Sequence, residues 1–252
     1  MKLYRYIPFY RFEEMCKESA LSFVNPFTNW DDKKEGFLYR LAKEDIGEIE
    51  SYLKNKKYGE QQMKQLINGG LFKGESDCEQ SWFSMRCQSW CKSENSRYMW
   101  EEYGKEDGVC IAVDSSLLCR LEYNGHKVEG FDVQYVEERN PKKEIDMLRG
   151  KCGEFYFAKV LQYKDREPYS KENEYRLYVV LLDENGNPQD GIDNIIKIPI
   201  KNELDSFFHK IYICPKANSE VYDKLVDKCS EYKIDISKID KGISGAHFCK
   251  DL

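Results

Sequence analysis

Apolar and polar positions alternate over residues 3–7 (LYRYI), the period of a strand. The spacing then lengthens to that of a helix over 9–20, where Phe9, Phe12, Met15 and Cys16 fall on one face. LSFVNP reads as a short second strand ended by Pro26, and 25–32 as a turn or loop dense in Asn, Asp and aromatics. Asp32, with Glu35 three residues on, has the form of a capping box and predicts a helix over 33–42. From 45 to 68 the chain is strongly charged, with sparse apolar positions (Ile46, Ile49, Leu53, Met63, Leu66, Ile67). This predicts one or two exposed helices closed at Gly69-Gly70, so that 33–70 forms a helical insertion or lid.

Residues 80–91 alternate aromatic and small polar side chains as a strand. Residues 96–103 predict a short helix, with Met99, Trp100 and Tyr103 on one stripe and Gly104 as its stop. VCIAVD, after Gly108, is a buried strand, 115–119 a helical turn, and 127–136 another strand. The span 141–161 is a long helical candidate interrupted near Gly150–Gly153. Six apolar residues at 177–182, too few to span a membrane, predict a central strand. The Asn-Gly at 185–186 predicts a turn that returns 195–200 as its antiparallel partner. A strand over 207–214 stops at Pro215, and Ser219 caps a terminal helix over 220–232 with Val221, Leu225, Val226 and Cys229 inward. Strands and helices mix without strict alternation. The expectation is therefore an α+β single domain over 1–252, with a mainly antiparallel sheet rather than a doubly wound one.

Composition narrows the chemistry. A net charge of −6 disfavours electrostatic capture of nucleic acid, although a local basic cleft stays open. The N-terminus has no apolar leader, and no stretch approaches the ~20 apolar residues of a spanning helix, so a cytoplasmic protein without a membrane partner is expected. The ten cysteines are scattered and are expected to be reduced thiols. Cys78, Cys87, Cys91 and His126 can be drawn as a zinc site, but their spacing matches no structural zinc pattern, so no metal is expected. Walker, GxGxxG, HExxH and GxSxG motifs are missing, and His126, His209 and His247 lie far apart, which disfavours histidine chemistry.

Carboxylates, arginines, serines and aromatics remain as working groups. In YSKENEYRLYVVLL a strand would place Glu172, Glu174 and Arg176 on one face, at the mouth of a buried run. That arrangement is either a solvated ion pair or a site. Paired carboxylates with aromatic lining suit cleavage of a glycosidic bond through an oxocarbenium-like centre. Arg5, in the first strand, either snorkels to solvent or points a cation into a cleft for phosphates. Trp100 and Tyr103 either form a core stripe or stack on a base or ribose. Ser89, at a strand end, is either a polar contact in the site or simply structural.

Taken in order, LYRYI, SFVNPFTNWDD, SWCKSENSRYMWEEYGKEDGVCIAVD and KENEYRLYVV resemble the landmarks of a bacterial and phage family of unknown function. That family has an LYKY-type strand, an FNDPFE-type loop, an MWxxY helix before a GVCI-like strand, and a WxYExEWR-like segment. The loop here lacks the Asp-Pro pair, and Tyr169 stands where Trp is common. The layout also resembles the ADP-ribosyltransferase fold, including its DNA-targeting toxin branch. That resemblance implies a split sheet and NAD as substrate. It assigns Arg5 as first-strand anchor, Ser89 or Tyr103 as the middle element, Glu174 as catalytic carboxylate and Glu172 as its upstream partner; Trp100 and Arg176, singled out above by residue type and position, complete the expected NAD-binding set. The function it implies is an NAD-dependent ADP-ribosyltransferase or NAD glycohydrolase, possible as a toxin or phage-defence effector, with the acceptor and oligomeric state open. The alternative from the residues is a non-catalytic ligand- or protein-binding module. A nuclease has little support without clustered histidines or acids.

Overall fold

The computed structural model describes residues 1–30, 51, 54–55, 84–137, 161–185, 189 and 191–240. The helix predicted over 33–42, and most of those over 45–68 and 141–161, lie outside these residues. Among them, the strands in chain order begin with β1 (Lys2–Ile7), β2 (Ala20–Val24), β3 (Met85–Cys91) and β4 (Val109–Asp114). There follow β5 (Glu122–Tyr123), β6 (His126–Lys127), β7 (Glu129–Asp132), β8 (Gln134–Val136) and β9 (Tyr163–Asp165). The last are β10 (Glu174–Val180), β11 (Ile195–Pro199), β12 (Lys210–Ile213) and β13 (Ile239–Asp240). Among the described residues the two longest helices are α1 (Phe9–Glu18) and α2 (Ser219–Glu231).

The α+β class holds. The main sheet runs β11-β2-β3-β1-β4-β12-β13, with β10 on β3 and β7 on β10, and every one of these pairings but β12–β13 is antiparallel. β3 is the branch point. Along one edge it pairs with all seven residues of β10. Its other edge meets β1 only at Tyr4–Cys91 and β2 only at Val24–Cys87. Between those points the sheet opens, and Gln88 bridges the gap by donating to the Ser22 carbonyl at 2.9 Å.

Period-two alternation gives the sheet two distinct faces. Leu3, Ile7, Trp90, Ile111, Leu177 and Val179 join the main core with Phe9, Phe12 and Cys16 of α1 and Leu225 and Cys229 of α2. Burying each such aliphatic or aromatic side chain contributes roughly 1.5–3 kcal/mol. The opposite face carries Tyr4, Tyr6, Cys91, Cys110 and Tyr212. The chain enters α2 through Asn218, not Ser219, because the Asn218 carboxamide oxygen accepts from the Val221 N–H at 3.0 Å.

Several sequence expectations change in the fold. The strand expected over 207–214 shortens to β12 after a helical turn, Leu204–Phe207, and Pro26–Asn29 in the expected loop is a helical turn. Ile195–Pro199 pairs with β2 instead of returning beside β10, whose two edges are already taken by β3 and β7. The strand expected over 127–136 is broken into β6, β7 and β8. The helix at 96–103, capped by Ser96, continues past Arg97–Met99 as a π turn, Trp100–Gly104. The wider turn rotates Tyr103 away from its predicted stripe, so Met99 and Trp100 are buried while Tyr103 is 42% exposed.

The return from the π turn is tight. A Cβ at Gly108 would lie 2.0 Å from the Gly104 carbonyl oxygen, a backbone atom that cannot swing aside. Gly108→Ala is expected to lower stability by about 1–3 kcal/mol, read from the denaturant midpoint. An unchanged midpoint would contradict this packing.

Candidate functional site

The opening in the sheet forms the floor of a cavity of about 480 Å3. Arg5 and Tyr6 of β1, Ser89 of β3 and Glu174 of β10 all line it, so the first strand and the late carboxylate strand meet there as expected. Trp30, Tyr103 and Tyr169 supply aromatic wall. The size falls within the usual range for small-molecule sites.

Glu172 and Glu174 converge by a different route from the one predicted. They do not share a strand: Glu172 ends a 3-10 turn (Ser170–Glu172), and β10 begins at Glu174. Asn173 between them adopts a left-handed conformation (φ 43°, ψ 54°), and its side chain donates to Ser93 Oγ at 2.8 Å. That kink aims both carboxylates at one cavity.

Glu174 is 2% exposed and densely bonded. Arg176 grips it with two donors, Nε to Oε1 at 2.8 Å and Nη2 to Oε2 at 3.0 Å. Ser89 Oγ donates to Oε1 at 2.5 Å, and Lys164 Nζ reaches Oε2 at 3.4 Å. Burial alone would raise the carboxyl pKa, but the charges of Arg176 and Lys164 and the hydrogen bonds from Arg176 and Ser89 outweigh it and lower it to about 2. Glu174 is therefore a fixed anion at physiological pH.

Glu172, also buried, accepts from Tyr103 Oη at 2.7 Å and from Lys164 Nζ at 2.8 Å, which leaves acceptor capacity on both oxygens. Both residues weighed as the middle element, Ser89 and Tyr103, thus contact the carboxylate pair, one each. Burial, followed by the Glu172 charge, pushes the Tyr103 phenol far above its ordinary value, so it stays a neutral donor.

The arginines differ in kind. Arg176 is fully buried. Besides Glu174, it donates from Nη1 to the Leu161 carbonyl at 2.7 Å, and its Cζ lies 4.5 Å from the Trp30 ring centroid. It holds the carboxylate in place, and its donors face protein. Arg5 is half-buried and makes no ion pair or side-chain hydrogen bond among the described residues. Its burial, with Arg11 nearby, lowers its pKa to about 10, still charged at neutral pH. Trp100, expected beside the ligand, does not line this cavity. It is 4% exposed and packs edge-on against Tyr6, with ring centroids 4.9 Å apart.

Sequence reading missed Lys164, which lies between the two carboxylates and 4.2 Å from the Tyr169 ring centroid. It also missed Tyr135, whose hydroxyl accepts from the Glu174 N–H at 2.9 Å. Lys164 sits among Asp165, Arg166 and Glu167, where a lone buried lysine has no periodic signature. Among the described residues no cluster of His, Cys, Asp and Glu could hold a metal ion, and the described cysteines are free thiols. No helix among them is long and apolar enough to cross a membrane.

A family model described as "Protein of unknown function (DUF2971)" matches residues 99–177. The matched segment contains Tyr103, Lys164, Glu172, Glu174 and Arg176, while Arg5 and Ser89 lie outside it. No curated protein and no solved structure gives a significant match.

Proposed function

We propose that the cavity binds NAD and that the protein is an ADP-ribosyltransferase-like enzyme or NAD glycohydrolase. The observation that carries this reading is the Arg5 guanidinium, which makes no ion pair or side-chain hydrogen bond among the described residues and lines the same cavity as the ionised, firmly held Glu174. Arg5 offers a cation for the diphosphate, and the aromatic wall offers stacking surfaces for the flat rings. The fixed charge of Glu174 stabilises the oxocarbenium centre that develops as the bond from the ribose C1′ to nicotinamide breaks, its electron pair leaving on nicotinamide. Ser89 is the neutral donor that a ribose hydroxyl would replace on Glu174. The acceptor, an alcohol, amide or water, forms the new bond to C1′ and gives its proton to Glu172, the carboxylate with spare acceptor capacity.

A second reading has its own support. Arg176, Ser89 and Lys164 already surround Glu174, as they would in a non-catalytic module that uses the network only to shape a binding cavity. Incubation with NAD, following free nicotinamide, separates the two. Release from the intact protein supports the enzyme, and NAD binding without release supports the module. Neither binding nor release would overturn the enzyme and leave only a module for another ligand. Arg5→Gln is expected to weaken NAD affinity about tenfold or more, the loss of one charge-assisted phosphate contact, measured by calorimetry. An unchanged affinity would remove Arg5 from the site.

A further inference from the structure

Among the described residues, the acidic and basic side chains lining the cavity are Glu172 and Glu174 against Arg5, Lys164 and Arg176. Arg176 grips both oxygens of Glu174, and Lys164 Nζ lies 2.8 Å from Glu172 Oε2 and 3.4 Å from Glu174 Oε2. Each carboxylate therefore already meets a cation of the protein. Arg5 is the surplus positive charge, and nothing anionic among these side chains is left over for a second cation.

Lys164 is also held in place. Its side chain is 9% exposed, and its Nζ lies 4.2 Å from the Tyr169 ring centroid. It stands on β9, which pairs in parallel with β8, and Tyr135, its partner across that pair, accepts from the Glu174 N–H at 2.9 Å. One short ribbon thus positions both the lysine and the head of β10. An acceptor that gives its proton to Glu172 must enter beside this ammonium. A neutral group can share Glu172 with Tyr103 and Lys164, because both carboxylate oxygens keep acceptor capacity. A guanidinium or alkylammonium gains Glu172 only by displacing Lys164, which leaves a buried charge unpaired, or by standing next to it against like charge.

We infer that Lys164 determines the acceptor class: it admits neutral acceptors, hydroxyl groups among them, and turns away guanidines and amines. The inference rests on the NAD-cleaving reading above and names what selects its acceptor. With a hydroxyl acceptor, the C1′–nicotinamide bond breaks with its electron pair on nicotinamide, the hydroxyl oxygen bonds to C1′, and its proton passes to Glu172. Lys164 keeps its own protons throughout and acts by its charge and position.

The full chain would be incubated with NAD and equimolar methanol and agmatine, and the methyl and agmatine adducts of ADP-ribose quantified by mass spectrometry. The native protein is expected to form at least about tenfold more methyl than agmatine adduct. If water is its only acceptor, ADP-ribose takes the place of the methyl adduct in that ratio. In Lys164→Met the ratio should shift toward agmatine by about tenfold or more, and Lys164→Arg, which keeps the charge, should leave it near the native value. The ratio is internal to each sample, so a partial loss of folded protein does not alter it. If Lys164→Met does not fold at all, the native and Lys164→Arg ratios decide. An agmatine adduct as abundant as the methyl adduct in the native protein, an unchanged ratio in Lys164→Met, or equal shifts in both variants would each overturn the assignment and leave NAD cleavage standing. No nicotinamide release with any acceptor would instead remove the NAD-cleaving reading itself, and the acceptor assignment with it.

Discussion

Replacing Arg176 with methionine is expected to cost about 3–5 kcal/mol of stability at neutral pH, the typical penalty for removing one partner of a buried ion pair. Glu174 would be left 2% exposed, with Ser89 and a long contact to Lys164 as its side-chain donors. The shape of methionine is close enough to keep most of the packing against Trp30, so the loss measures the charge. The pH dependence gives an independent check. In the native protein the Glu174 carboxyl lies at about 2, below its ordinary 4.5, so its contribution is complete above 4.5 and is lost as pH falls toward 2. Without Arg176, burial, already the largest single influence, is opposed only by Lys164 and Ser89, and the carboxyl moves up. The acid slope of stability between those values should then flatten or reverse. Glu174→Gln added to Arg176→Met should recover part of the loss, because the unpaired charge is gone. A single-variant loss below about 1 kcal/mol would mean that the pair contributes little.

Glu172→Gln is expected to reduce nicotinamide release by about 10²–10⁴-fold, the range for removing a proton-transfer group, with a much smaller change in NAD affinity. Glutamine keeps an acceptor for Tyr103 and fills the same space, but it cannot take the acceptor's proton. It also leaves Lys164 bonded to a neutral group and to Glu174 at 3.4 Å, so the variant should fold with only a modest loss of stability. Glu174→Gln is expected to lower release as well, but to lose stability too, because Arg176 would be left buried against a neutral amide. Release that survives both substitutions would remove the carboxylate pair from the chemistry. Release lost in Glu174→Gln but kept in Glu172→Gln would make Glu174 the sole working carboxylate.

Local patterning carried most of the elements among the described residues. LYRYI alternates because one face of β1 packs on α1, and the spacing of Phe9, Phe12, Met15 and Cys16 follows from that same contact. The run after Arg176 reads as a strand because β10 is paired on both edges and has no polar edge to expose. Strand partners were less legible. The Asn-Gly turn suggested a hairpin, but a local signal cannot report that β3 and β7 already occupy the edges of β10, and Ile195–Pro199 crosses to β2 instead. The π turn was hidden for a similar reason. One extra residue per turn leaves composition unchanged and alters only which side chains share a face, so Trp100 and Tyr103 part company.

By itself, the sequence determined the α+β class and the buried strands, which follow from periodicity and from charge set against apolar runs that neighbours along the chain can encode. It offered Arg5, Ser89, Trp100, Tyr103, Glu172, Glu174 and Arg176 only as candidates by residue type, and grouping them was an implication of the resemblance; all but Trp100 line one cavity. The tertiary structure alone decided that β1 and β2 splay from β3 to open a cavity, that Lys164 joins two carboxylates from different elements, and that Arg176 grips Glu174 while Arg5 finds no side-chain partner among the described residues. Those are contacts between segments far apart in sequence, and no short-range pattern specifies the distance or dielectric that gives them their strength.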